Sequence, residues 1–149
     1  MENLWTNTLQ IGENRISPLH ILKEQASQLG SMTKNFVKAE VRLKKDPSYK
    51  TPNLTLLDFD FNIIASLLQN YRYRLFSAQI DISENYPMKL FLPSKLKREL
   101  LGDEEEAQEG VIQIYSELEL VDWLRRIFGS EFTVNIISTL MQTTQKGNN

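Results

Sequence analysis

The chain has 149 residues, 41% hydrophobic and 24% charged, which is the size and balance of one soluble domain able to bury its own core. With 17 Lys and Arg against 19 Asp and Glu the formal charge is −2, so no chain-wide positive field is available to hold a polyanion, and a dedicated nucleic-acid binder is disfavoured. There is no cysteine and a single histidine, His20, which excludes disulfides, thiolate metal sites, a cysteine nucleophile and any site needing two imidazoles.

Met1 to Arg15 lacks a basic stretch followed by an apolar one, and no run approaches the ~18 to 20 apolar residues of a membrane span. A cytoplasmic protein without a membrane partner is expected. Ser17 and Pro18 predict a helix start, an N-cap followed by proline where its missing N–H costs nothing. The helix reads from Pro18 to Leu29, with Leu19, Leu22, Ala26 and Leu29 in one apolar stripe and Gly30 as the stop. From Phe36 the period becomes two: Val37, Ala39, Val41 and Leu43 alternate with Lys38, Glu40 and Arg42 in a half-buried strand. The prolines and aspartate of Asp46 to Pro52 predict a loop.

The second strand turns Leu57, Phe59, Phe61 and Ile63 inward and Asp58, Asp60 and Asn62 outward. A short connection, Ala65 to Asn70, leads to a third with Tyr71, Tyr73 and Leu75 on one side and Arg72 and Arg74 on the other. Beyond Leu75 the apolar parity slips to Phe76, Ala78, Ile80 and Ile82, so either a bulge re-aims the strand or both its faces are covered. Pro87 to Leu92 reads as a fourth strand, Ser94 to Gly102 as a short capped helix, and Asp103 to Glu109 as a solvated acidic loop. Val111 to Tyr115 reads as a fifth strand. Ser116 and Glu119 form a capping box opening a helix with Leu120, Val121, Leu124, Ile127 and Phe128; after Gly129 and Ser130, a last helix spans Glu131 to Gln142, with Val134, Ile137, Leu140 and Met141 on one face.

These elements predict an α+β fold: an antiparallel sheet of four to five strands covered on one face by an N-terminal helix and a C-terminal helix pair. The expected organisation is a single domain over 1–149, with a lead segment 1–15 and a frayed tail 143–149. The order of elements, with Pro18-Leu19-His20-Ile21-Leu22-Lys23-Glu24-Gln25-Ala26 and Asn70-Tyr71-Arg72-Tyr73-Arg74-Leu75-Phe76, resembles a group of small bacterial proteins of unknown function. That resemblance implies no activity, cofactor or catalytic residue.

Four features bear on chemistry. Asp58 and Asp60 project from one strand face ~6 to 7 Å apart and, with Glu40, could share a divalent metal in a phosphoesterase-like or nuclease-like site. The competing expectation is a cross-strand charge ladder: a hairpin turning near Tyr49 sets Lys38 opposite Asp60 and Glu40 near Asp58, and one turning near Leu67 sets Arg74 opposite Asp60. Tyr71 to Phe76 has a nucleic-acid-like composition, but strand geometry parts its tyrosines from its arginines. His20 lacks a carboxylate-and-nucleophile setting, Ser17, Ser94, Ser116 and Ser130 read as helix caps, and the six scattered glycines build no phosphate loop.

The fourth feature is an apolar surplus on the C-terminal helices, Trp123, Phe128, Phe132 and Ile136, rimmed by Asp103, Glu104, Glu105 and Glu106. It predicts either core filling or a contact patch for a protein partner or a second copy. The expectation is thus a non-catalytic, protein-binding accessory or immunity-type protein of bacterial origin, without cofactor. The alternative is the divalent-metal phosphoesterase or nuclease on Asp58, Asp60 and Glu40, and a small apolar ligand between sheet and helices stays open as a third reading.

Overall fold

The computed structural model describes residues 1–6, 16–44, 55–102 and 110–147. Helix α1 (Pro18–Met32) is followed by strands β1 (Lys38–Leu43), β2 (Leu56–Ala65), β3 (Tyr71–Asp81) and β4 (Met88–Phe91), helix α2 (Ser94–Leu101), strand β5 (Val111–Ile114) and helices α3 (Glu117–Phe128) and α4 (Glu131–Gly147). The five strands form one antiparallel sheet whose spatial order is the chain order, β1-β2-β3-β4-β5. The α+β fold, with its antiparallel sheet, N-terminal helix and C-terminal helices, is as the alternation predicts. The acidic run 103–109 and the connection 46–52 lie outside the described residues.

Helix α1 starts as expected, with the His20 N–H donating to Ser17 Oγ at 3.1 Å. It does not stop at Gly30. That residue is buried inside the helix, where an added Cβ would come within 3.1 Å of Asn35 Oδ1. The end is made by Thr33, whose hydroxyl donates to the Val37 carbonyl at 2.7 Å, and by Lys34 and Asn35 at φ 53° and 65°. Those two left-handed residues reverse the chain into β1.

The slip of parity in β3 is a bulge. Phe61 faces Phe76 but Asn62 faces Arg74, so Leu75 is the extra residue. On the inner face Phe59, Phe61, Ile63, Phe76, Ala78 and Ile80 are buried, together with Leu90 and Ile114 from the later strands. Phe61 stacks on Phe76 with centroids 4.9 Å apart, and Phe128 leans on Phe61 at 5.3 Å. Leu22 and Ala26 of α1 and Leu120, Leu124 and Ile127 of α3 complete this core.

Both expected pairings need correction. Lys38 faces Ile64 rather than Asp60, Glu40 faces Asn62, and Arg74 faces Asn62 rather than Asp60. These shifts are even-numbered, so every side chain keeps its face. Alternation constrains the face a residue takes and leaves the partner to turn geometry.

Two further boundaries differ. Ser94 is the first residue of α2 and caps nothing, the N-cap being Pro93 without a side-chain bond. Helix α4 runs past Gln142 to Gly147, and its buried positions include Thr133 and Thr144, while Val134 is exposed. Thr133 is tolerated inside because its hydroxyl shares a hydrogen bond with Ser130 Oγ at 3.0 Å, which itself donates to the Ile127 carbonyl at 2.8 Å.

Candidate binding site

The two faces of the sheet carry different chemistry. On the outer face Glu40 Oε1 accepts from Arg72 Nε at 2.6 Å and from the buried Asn62 amide at 3.2 Å. Asp60 Oδ1 accepts from Ser77 Oγ at 2.7 Å and lies 3.5 Å from Lys44 Nζ. Two of the three candidate metal ligands are therefore bonded to separate cations. No group of three or more His, Asp or Glu residues that could hold a metal ion occurs among the described residues. Charges do alternate across the strands, but with Arg72 and Lys44 as partners in place of Lys38 and Arg74.

The Tyr-Arg repeat divides as strand geometry requires. Tyr73 turns inward, with its ring 6.3 Å from that of Phe132, and burial pushes its phenol above the usual tyrosine value. Arg72 turns outward to Glu40. His20 sits on the exposed side of α1, 3.7 Å from Glu24.

The aromatic surplus of the C-terminal helices is distributed rather than pooled. Phe128, Phe132, Ile136 and Trp123 are each half-buried and pack against the core. The Arg126 guanidinium lies 4.0 Å above the Trp123 ring, a cation–π contact that covers one face of it. Asp103, Glu104, Glu105 and Glu106 lie outside the described residues.

What the sequence does not announce is a furrow in the helical layer. Helix α1 lies along β1 while α4 lies over β2, and a gap lined by both helices opens between them. The gap is about 340 Å³, floored by Ala39, Phe61, Ile63, Leu75 and Phe128 and walled by Leu29 and Met32 on one side and Thr133, Val134 and Ile137 on the other. A smaller cleft of about 190 Å³, between Ile21 of α1 and Val121 and Leu124 of α3, shares Gln25 and Phe128 with it. At the furrow's lip Met32 is 79% and Val134 47% exposed, an unusual position for large apolar side chains. Of the partner-binding candidates Trp123, Phe128, Phe132 and Ile136, only Phe128 lines this site; its other apolar residues, Met32 apart, were read from sequence as core.

A second missed feature holds the helices in place. Both oxygens of Glu99 on α2 accept from the first N–H groups of α4, those of Glu131 and Phe132, at 2.8 and 2.9 Å. A carboxylate there satisfies two orphan donors and opposes the positive end of the helix dipole. Arg126 of α3 also donates to the Leu100 carbonyl at 3.1 Å. Helix α2 thus clasps the α3–α4 corner from the side.

No protein-family model, no curated protein and no solved structure matches the chain. No helix among the described residues is long and apolar enough to cross a membrane.

Proposed function

We infer that the protein acts by binding rather than by turnover, as a cytoplasmic accessory protein that occludes or scaffolds a protein partner. The observation that carries this reading is the furrow between α1 and α4, an open apolar groove of about 340 Å³ with Met32 and Val134 exposed at its lip. A gap of that size accepts one or two large apolar side chains, in the manner of an anchor residue entering a groove. The pairing of Glu40 with Arg72 and of Asp60 with Lys44 favours it over the phosphoesterase alternative, because carboxylates held by protein cations compete poorly for a metal. Trp123 belongs to the same proposal as a further apolar contact for the partner.

The test uses photo-activated cross-linking groups in the native host. Placed at Met32 or Val134 they should capture one partner, and placed at Tyr115, which is exposed and lies beyond β5, they should not. Met32→Glu and Val134→Glu should abolish the capture while leaving the thermal unfolding profile unchanged. Equal capture from Tyr115, or capture that survives both substitutions, would refute the groove as the binding surface.

A further inference from the structure

The outer face of the sheet holds a separate cavity of about 660 Å³, within the size range of small-molecule sites. Its lining includes Lys44, Asp58, Arg74, Gln79, Phe91 and Pro93. The β3 bulge forms part of its wall, since Arg74, Leu75 and Phe76 all contribute to it. A bulge bends its strand and re-aims the flanking side chains, which is why bulges recur beside binding sites.

The charges in this cavity are not matched internally. Lys44 is engaged by Asp60, and Asp60 by Ser77. Asp58 is left over: its Oδ1 is buried and has no hydrogen-bond partner, although Gln79 is its register neighbour. Arg74 faces Asn62 and forms no ion pair with a carboxylate among the described residues. Phe91, 37% exposed on the same face, supplies an apolar wall with Pro93. A half-buried carboxylate at one end, a free guanidinium at the other and an aromatic surface between them complement a ligand with an ammonium, a carboxylate and an apolar side chain.

Spacing decides how long that ligand is. Asp58 and Asn62, the residue opposite Arg74, are four positions apart on β2, or about 13 Å, shortened by the reach of the arginine. A free amino acid separates its two charges by only ~3 Å, and each added residue extends it by at most ~3.6 Å, so about three residues are needed. We propose that this cavity binds a short peptide of about three residues with free termini, its ammonium on Asp58, its carboxylate on Arg74 and an apolar side chain against Phe91. This site lies on the opposite face of the sheet from the furrow, and Leu75, the bulge residue, lines both.

Isothermal titration tests it with a panel of free tripeptides carrying a central Phe, Tyr, Leu or Ile. At least one should bind the intact protein, and its N-acetyl form should bind about tenfold or more weakly, the loss expected when a charged hydrogen bond is removed. Asp58→Asn should weaken the free peptide by a similar factor and leave the N-acetyl form unaffected; Arg74→Gln should stand in the same relation to the C-terminal amide. Because the capped peptides probe the unaltered protein, the result does not depend on either variant folding. Binding of free phenylalanine as tight as the tripeptide, capped peptides that bind undiminished, or no heat from the whole panel at millimolar concentration would each overturn the proposal. Val134→Glu should leave every one of these titrations unchanged, which separates this site from the furrow.

Discussion

The inner and outer faces of the sheet are made from the same strands, yet they depend on different forces. On the inner face Phe61, Phe76 and Phe128 stack among aliphatic neighbours, and stability scales with area removed from water. On the outer face Glu40, Arg72 and Asn62 form one hydrogen-bonded group and Asp60, Ser77 and Lys44 another. Partly solvated ion pairs add little, whereas a buried polar group that loses its partner is costly. The lesson is that the inner face stabilises the fold while the outer face chiefly pairs its own polar groups, with Asp58 Oδ1 as an exception that stays buried and unpartnered.

The sharpest test of that division is Phe76→Ala, which leaves a cavity beneath Phe61 and Phe128 and should cost about 3 to 5 kcal/mol in urea unfolding. Glu40→Ala should cost about 1 to 2 kcal/mol, because the buried Asn62 amide loses its acceptor. A double-mutant cycle with Arg72→Ala should return a coupling below about 1 kcal/mol that shrinks with added salt. Should Glu40→Ala equal Phe76→Ala, the division between faces collapses.

Within the helical layer, Glu99→Ala should lower stability by about 1 kcal/mol and speed amide exchange at Glu131 and Phe132, since two donors lose their acceptor. The smallest effect lies outside both faces. Ser83 donates its hydroxyl and its N–H to Asp81, at 2.6 and 2.9 Å, and holds that carboxyl below the usual aspartate value. Because the folded value is depressed, the contribution is present above the unfolded pKa and fades as pH falls through the folded one. Carbon-detected titration by NMR should find the Asp81 carboxyl moving up toward the ordinary range in Ser83→Ala, which removes the hydroxyl donor and keeps the N–H one.

Much of this was legible in the residues. Ser17 and Ser116 are caps in both readings, and Glu119 reaches back one residue further than the capping box requires, accepting from the Tyr115 N–H at 2.6 Å. The parity slip after Leu75 is visible as a pattern before it is visible as a bulge. Pairing was not legible, because a shift of two or four residues leaves the apolar alternation intact. Thr133 and Thr144 were missed as buried positions since a helix face is recognised by apolar residues; Thr133 has its hydroxyl partner in Ser130, whereas Thr144 Oγ1 is buried without one. The furrow was invisible for a different reason: it is a distance between two helices that are far apart in the chain, and no local period encodes it. Glu99 reads as an ordinary charge on α2 until α4 is in place.

The sheet order has a consequence for synthesis. Each strand pairs with the one made just before it, so β1 to β5 can be laid down in sequence with no strand waiting for a distant partner. The furrow cannot be built in that way. One wall, α1, is among the first elements to emerge, and the other, α4, is the last of those described. During elongation the floor residues Phe61 and Ile63 therefore stand uncovered beside α1, and ribosome-bound chains halted before Glu131 should engage apolar surfaces that the finished protein rejects. Selectivity at the groove arrives with the final helix, after the sheet beneath it has already formed.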